Sequence, residues 1–500
     1  MSEAVTRSDV AKGAGLAGLA RASSFIEALA QPVYTWLFGL AGYGIYVVLW
    51  GAVNLVSNIV DLSMTNALQR LVPAESSEER AHALLKAALL IAMVPATLVA
   101  ALVSANAEAV ASIFSAAPED RETLPRMVAI FAWALPLWTF VEVATSAARA
   151  RRAFGPEIRL RLFWEQLARI VFALGFWAIG FNSLGLVAAH LCSLALTALL
   201  CVRLIARFYD LRLLLRAPVG VSMIWTLLGT GLALLPGAVS RRLLVDAPPV
   251  ILNLMLPGAR GATAAALFEI ARKLSTVPLA IRQAFQYVMA PLSAAQASAD
   301  RAALGPLYRF ASRVSTALVV PLAGLLIFAG PDILSVYRTG AAAALPLLYL
   351  LVAARAIEAI VGPATAIVEM TGHRAFSLIN SVIALGVWGG LTALLVPRYE
   401  ALGMAVSVGA ATIAAAWAAA IELGFSDRLW LFDRKLFLGL GVASLGVAVM
   451  GLAASATHGP AGFALQLLLW AAASWAALRF GLVRSDREAF GSAAKKLRLV

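Results

Sequence analysis

Apolar runs of about twenty residues, separated by short polar stretches, recur along the whole chain. A helix that crosses a bilayer needs about 20 such residues. The pattern predicts fourteen spans, at 16–38, 44–68, 83–105, 126–149, 161–181, 184–206, 222–244, 261–288, 309–329, 342–368, 375–396, 401–423, 436–457 and 461–482. The expected fold class is therefore all-α, a polytopic membrane protein, because helices satisfy their own backbone polar groups in lipid. Spans 7 and 8 are the least regular, since Arg241, Arg242, Pro248, Pro249 and Pro257 crowd their junction. No connection is long enough for a separate folded domain. The longest outer one, roughly 105–125, carries Glu108 and the run Glu119-Asp120-Arg121-Glu122 and is read as a short surface segment. Residues 1–15 are polar and mixed in charge, so the first apolar run is read as a retained span rather than a cleaved leader.

Landmark residues recur at one offset. Gly42 pairs with Gly258, Pro73 with Pro291, Glu142 with Glu358, Gly155 with Gly372, and Leu184-Gly185 with Leu402-Gly403, at offsets of 216, 218, 216, 217 and 218. Spans 1–6 then correspond to spans 7–12. Six is even, so both halves share one orientation, the parallel-repeat plan with an axis along the membrane normal. The expected division is 1–210 and 211–430 as six-helix lobes, with 431–500 as two appended helices and a cytoplasmic tail.

Composition sharpens this picture. Hydrophobic residues make up 61% and charged ones 13% of the 500 residues, against roughly 25% charge in a soluble domain. The net charge of +13 would suggest nucleic acid in a soluble protein. Here the basic residues sit in short loops between spans. With the N-terminus inside, 28 of the 40 Lys and Arg fall on the cytoplasmic side, which predicts both termini there and an even number of spans. Seven fall outside: Arg121, Arg126, Arg241, Arg242, Arg260, Arg338 and Arg398. Five remain at membrane depth: Arg169, Arg272, Lys273, Arg282 and Arg355. Cys192 and Cys201 share one span, ~13 Å apart along its axis, and do not bridge to each other. No metal-ligand spacing appears and the four histidines are scattered; no bound cofactor is expected.

The opening stretch, from Ala20-Arg21-Ala22-Ser23 through Gly42-Tyr43-Gly44-Ile45-Tyr46 to Asp61-Leu62-Ser63, carries a resemblance. It is similar to the polysaccharide-transporter branch of the multidrug/oligosaccharidyl-lipid/polysaccharide (MOP) exporter superfamily. Members commonly show a Gly-x-Gly-x-Tyr turn after helix 1. Their helix 2 ends near an acidic-Leu-Gly/Ser step and a basic residue, here Arg70. The resemblance covers spans 1–12 in outline. It implies two six-helix lobes around a central cavity, alternating access, and flipping of undecaprenyl-pyrophosphate-linked sugar units from the cytoplasmic to the periplasmic leaflet. The opening motifs of the lipid II flippases have no clear counterpart here. Fourteen spans also differ from the twelve usual in the drug-antiporter branch.

A charge at mid-bilayer costs roughly 3 kcal/mol on insertion scales, so polar stripes at that depth call for a wet cavity or a partner helix. Span 1 carries Arg21, Ser24, Glu27, Gln31 and Thr35; span 2 carries Asn54, Asn58, Asp61 and Thr65. Span 8 has Glu269, Arg272, Lys273, Thr276, Gln283 and Tyr287 on one face, opposite Leu267, Ile270, Leu274, Val277, Ile281, Phe285 and Val288. Span 10 carries Arg355, Glu358, Thr365 and Glu369, and its repeat mate span 4 carries Thr139, Glu142, Ser146 and Arg149. Stripes from both halves facing one another would line a cavity at the repeat interface, where transporter sites usually lie.

Arg21, Arg272, Lys273, Arg355, Gln31 and Gln283 are the candidate substrate contacts, because Arg and Lys suit a pyrophosphate. Glu27, Asp61, Glu142, Glu269 and Glu358 are the candidate ion-coupling acids, for a proton or a sodium gradient. Structural readings stand beside these. Arg355 and Glu358 are three apart, and Glu165 and Arg169 four apart, so each pair can neutralise itself. Asn54 and Asn58 suit helix–helix contacts. Arg282 points off the polar face and either snorkels or pairs with another helix. His190 reads as a buried structural histidine more readily than as a proton carrier.

The expected function is a flippase for a polyprenyl-pyrophosphate-linked oligosaccharide in capsule, exopolysaccharide or O-antigen synthesis. Such a protein would sit in the bacterial inner membrane with both termini cytoplasmic. Polymerase or export proteins are candidate partners, and nucleic acid is not. The alternatives are a drug or small-solute antiporter, against which Arg272 and Lys273 argue, and a membrane-embedded polymerase. The last needs a sizeable water-facing loop, and the sequence offers none; no enzymatic activity is expected.

Overall fold

A computed structural model describes residues 25–151, 153, 158–296, 301, 304–338, 340–371, 374–457 and 459–499. Arg21, Gly155 and Gly372 lie outside the described residues, as do the side chains of Glu27, Arg241, Tyr287 and Val288. Helices and the turns joining them account for what is described, and no strand occurs among these residues. The main helices are α1 Phe25–Val60, α2 Met64–Leu71, α3 Glu78–Ala105, α4 Leu124–Phe131, α5 Ala134–Ala150, α6 Glu165–Ala178, α7 Ser183–Phe208 and α8 Val221–Met255. They continue with α9 Ala259–Gln296, α10 Leu304–Phe328, α11 Leu345–Ile360, α12 Ala364–Met370, α13 Arg374–Ser426, α14 Arg434–Ala456 and α15 Gly459–Gly481.

Ten stretches among the described residues are long and apolar enough to cross a membrane. Two of them are folded back on themselves. In α1, Gly39 takes φ +76°, and the rings of Tyr34 and Tyr46 come within 6.5 Å, whereas twelve residues of straight helix rise ~18 Å. In α13 the break is at Glu400, and Asn380 hydrogen-bonds Glu422 at 2.8 Å, which is impossible along one straight helix. These reversals fall where the sequence places the boundaries of spans 1 and 2 and of spans 11 and 12. The expected spans 161–181 and 261–288 are helical too, as α6 with its lead-in and as α9, but stand outside the ten. Both carry several charges within their apolar runs.

One boundary differs from expectation. Span 7 was expected to stop at 244, but α8 runs on through Pro248 and Pro249 to Met255. Arg242, expected near the outer end of span 7, consequently lies in the interior of a longer helix.

The chain divides into two compact units, Ile26–Glu269 and Ile270–Val500, the boundary falling inside α9. The first is built around a core that includes Met64, Leu68, Leu85, Val141, Val143 and Leu227. The core of the second includes Phe285, Tyr308, Phe310, Ile367 and Leu423. Outward faces are apolar as well: Leu102 is 66% and Leu468 69% exposed, as lipid-facing side chains must be. Within the second unit α14 and α15 touch through small residues. A Cβ at Gly481 would lie 2.5 Å from Gly439 Cα, and one at Gly446 only 2.4 Å from Ala473 Cβ. Such backbone approach is how helices adhere when hydrophobicity cannot drive them together in lipid.

Candidate functional site

The first unit holds two polar clusters. The first is built from α6, α7 and the second half of α1. Glu165 and Arg169 are one turn apart on α6, and Arg169 donates to Glu165 Oε1 at 2.5 Å. Its other terminal nitrogen donates to the Tyr46 hydroxyl at 3.2 Å. Arginine can only donate, so the Tyr46 proton is left for His190 Nδ1, 3.1 Å away. His190 Nε2 lies 4.0 Å from Glu165 Oε1, and the Trp50 ring packs against the imidazole at 4.2 Å. All of Glu165, Arg169 and His190 are buried.

The Gly42-Tyr43-Gly44-Ile45-Tyr46 run explains how this cluster is assembled. It lies in the helix after the Gly39 break rather than in the turn itself. A Cβ at Gly42 would sit 2.3 Å from Ser183 Oγ, and one at Gly44 1.9 Å from the Ala262 carbonyl oxygen. The two glycines let α7 and α9 approach α1, and Tyr46, on the next turn, reaches the buried polar groups.

The second cluster centres on Glu142 of α5. Arg161 donates to its Oε1 at 2.9 Å, while the guanidinium stacks 4.3 Å over the Trp138 ring. Arg161 comes from a π-helical turn, Ile158–Trp164, ahead of α6. Turns of this wider winding are rare and are frequently found at functional sites. Arg242 of α8 lies 3.8 Å from Glu142 and 3.8 Å from Asp246. Asp61 stands at the break between α1 and α2. Its Oδ1 accepts the Ser63 amide at 2.9 Å, and Thr65 Oγ1 is 3.5 Å from its Oδ2. The carboxylate thereby holds Leu62 and Ser63 in the left-handed region, at φ 47° and 57°, where a non-glycine residue costs roughly 1–2 kcal/mol.

In the second unit, Glu358 of α11 is fully buried and receives two guanidinium groups. Arg355 donates to one oxygen at 2.8 Å and Arg282 of α9 approaches the other at 2.8 Å. Gln286 of α9 donates to Thr365 of α12 at 3.0 Å. Arg272, Lys273, Thr276 and Gln283 are half-buried along α9, with Ile270, Leu274 and Phe285 buried. Arg272 and Lys273 lie ~20 Å from the start of this helix, at 1.5 Å per residue. At the other end of the unit, Arg313 of α10 is clasped by Asp433 and Asp486.

Residues 35–339 match the sequence model of a family described as polysaccharide biosynthesis protein. The chain belongs to this family. No curated protein matches it in sequence. Among solved structures, the lipid II flippase MurJ in an inward closed conformation is similar at a TM-score of 0.73 and 12% identity, over 92% of this chain and 97% of that one. A multidrug resistance MATE family transporter of the MOP superfamily, inward-facing, gives 0.61 at 14% identity, over 90% and 96%. A MOP superfamily transporter from Pyrococcus furiosus, described by the reverse polarity of its binding pocket, gives 0.58 at 12%, over 89% and 97%. The polysaccharide biosynthesis protein described here thus shares the fold of these MOP-superfamily proteins and is a multi-pass membrane protein.

The structure of this family member sorts the residues singled out from its sequence. Arg355 and Glu358 hold one another, and Arg282 pairs with another helix, joining them. Glu142 is held by arginines, which sequence spacing did not indicate: Arg161 is 19 residues away in sequence, and Arg242 had been counted at the outer end of span 7. Gln31 and Glu269 are buried. Glu165, Arg169 and His190 form one cluster with Tyr46, which the sequence reading had left out of every polar stripe. The conspicuous signal for Tyr46 was the Gly-x-Gly-x-Tyr run itself.

Proposed function

We propose that this protein carries a polyprenyl-pyrophosphate-linked oligosaccharide from the cytoplasmic to the periplasmic leaflet by alternating access. The observation that carries the reading is the Arg272–Lys273 pair, half-buried about a third of the way along α9, in a member of a polysaccharide biosynthesis family. A pyrophosphate offers at least two negative charges to such a pair, and charge-assisted bonds from Arg and Lys suit it. The fold shared with a lipid II flippase supports the same reading. The polyprenyl tail stays in the bilayer while the headgroup passes between the lobes, 1–210 and 211–430, with 431–500 appended. Gln31 and Gln283 bind sugar hydroxyls, Arg21 and Arg355 assist with the phosphates, and the protein sits in the inner membrane with both termini cytoplasmic.

Glu27, Asp61, Glu142, Glu269 and Glu358 remain the acids available for coupling to a proton or sodium gradient. Asp61 leads among them. It is buried without an Arg or Lys within ion-pair distance among the described residues, whereas Glu142 and Glu358 each face two arginines. Asp61→Asn keeps the oxygen that accepts the Ser63 amide and removes the charge. It should leave abundance unchanged and abolish gradient-driven export.

The decisive experiment replaces Arg272 and Lys273 together by Gln and follows polymer export and membrane abundance in the same strain. Loss of export at normal abundance supports the reading, and Arg272→Lys should be milder because it keeps the charge and loses only the bidentate fork. Normal export from a well-expressed double variant removes the pair from the mechanism. Drug antiport is the second reading, favoured by the fold shared with multidrug transporters; drug sensitivity of the same strains distinguishes it.

A further inference from the structure

The end of α15 carries more positive charge than its own acids neutralise. Arg479 lies in the last turn of α15, and Arg484 and Arg487 in the short helix Arg484–Glu488 that follows. From 479 to 499 the chain has six Lys or Arg against two acids, Asp486 and Glu488. Asp486 is turned inward and buried, where it accepts from Arg313 at 2.5 Å. Glu488 lies 2.9 Å from Arg484 Nε with both side chains exposed, and an exposed pair of this kind is weak. Among the described residues no acid stands within ion-pair distance of Arg479 or Arg487. Burial and the neighbouring Arg479 and Arg484 push the Arg487 guanidinium below the usual arginine range, against the opposing pull of Glu488. The three guanidinium groups are thus close enough to repel one another.

Backbone bonds hold the group together. Arg487 donates to the Arg479 carbonyl oxygen at 2.5 Å, and Arg479 to the Leu499 carbonyl oxygen. Trp475, one turn earlier on α15, donates to the Leu497 carbonyl oxygen at 2.8 Å. The tail is thereby pinned to the helix end. The level of the group follows from α15 itself, which is apolar enough to cross a membrane. Its 23 residues rise ~35 Å, slightly more than the ~30 Å hydrocarbon layer. Its last turn consequently stands at the headgroups. Trp475 is exposed near that end, and tryptophan is enriched at the membrane boundary.

We propose that Arg479, Arg484 and Arg487 bind the phosphodiester headgroup of an anionic phospholipid at the membrane boundary where α15 ends. Guanidinium forks match phosphate oxygens in pairs, and basic groups beside spans attract anionic headgroups. Headgroup phosphates crowd this level of the bilayer, whereas a free phosphate must arrive from dilute solution. Glu488 competes with the headgroup for Arg484.

The test titrates the full chain, in a neutral detergent, with phosphatidylglycerol and counts bound lipids by native mass spectrometry. Arg484→Gln changes an exposed side chain and should leave the melting temperature unchanged. It should weaken the first binding step about fivefold, the factor expected for one basic group at an anionic surface. Glu488→Gln should tighten the same step, an outcome that a merely structural tail would not give. Arg216→Gln, exposed in the first unit, removes the same charge elsewhere and should have no effect. Phosphatidylcholine should bind parent and variants alike. The site is overturned if either tail substitution leaves the first step unmoved, or if Arg216→Gln weakens it equally. Displacement of the first phosphatidylglycerol by inorganic phosphate would give the arginines to a free phosphate and overturn the lipid assignment.

Discussion

The buried charges of this protein come in groups, and their arithmetic sets what single substitutions do. Glu358 carries one negative charge between Arg282 and Arg355. Replacing it by Gln leaves two guanidinium groups buried without a counter-charge. Breaking a buried pair from one side costs about 3–5 kcal/mol, so Glu358→Gln should lower the melting temperature in detergent and reduce membrane abundance. The triple change of Arg282 and Arg355 to Met with Glu358 to Leu should recover much of that stability, because no orphan charge remains. Equal loss in both variants would show that the ion cluster itself holds the fold. Asp433 offers a test by pH. Burial alone would raise its carboxyl, but hydrogen bonds from Arg313 and the Leu436 amide outweigh it and hold the group below the usual carboxylate range. A depressed value contributes stability above the unfolded value of about 3.9, and that contribution is lost as pH falls through the folded value. Melting measured from pH 7 downward should therefore drop below about pH 4, and Asp433→Asn should flatten that drop. The sequence disclosed the i,i+3 and i,i+4 members of such groups, Arg355–Glu358 and Glu165–Arg169, because helix geometry alone brings them together. It could not disclose Arg282–Glu358 or Arg242–Glu142, since spacing along a chain says nothing of which helices become neighbours.

At the scale of elements, apolar run length located most helices, because a fixed bilayer thickness imposes it. The breaks were harder to read. The Gly-x-Gly-x-Tyr run looked like a turn, yet its glycines serve close approach and the reversal belongs to Gly39, at φ +76°. Gly44→Ala would place a methyl carbon 1.9 Å from the Ala262 carbonyl oxygen, forcing α1 and α9 apart. Overpacking of this kind typically costs about 1–3 kcal/mol. The variant should melt earlier than the parent, and unchanged melting would mean that this contact is loose in solution. The Asp61-Leu62-Ser63 step behaves oppositely. Leu62→Gly removes the left-handed penalty at φ 47° and should leave melting unchanged or raise it slightly, since added freedom in the unfolded chain offsets part of the gain.

For the whole molecule, the distribution of Lys and Arg predicts an orientation, a property of insertion rather than of packing. Both termini are expected in the cytoplasm. A reporter joined after Val500 that fluoresces only in the cytoplasm should be bright, and one active only in the periplasm should be silent. The six-helix repeat is a separate expectation. Superposing 1–210 on 211–430 should bring Glu142 onto Glu358, each a buried acid facing two arginines. An experimental structure in which they fall on unrelated helices would reduce the recurring landmarks to chance. What the sequence left illegible at this scale is the split inside α9, because an unbroken amphipathic helix gives no sign of where its neighbours change.

The clasp of Arg313 by Asp486 has a meaning in time as well as in space. The two residues are 173 positions apart, and at ~5–20 residues per second of synthesis the arginine exists for roughly ten to thirty-five seconds before its partner is made. Asp433 arrives earlier, after 120 positions, so the arginine first meets one acid and gains the second only when Asp486 is made. A nascent chain stalled before Asp486 carries Arg313 with only one of its two acids. A ribosome halted just before Asp486 would thus release a chain with α1 to α15 all made and the clasp around Arg313 still one acid short.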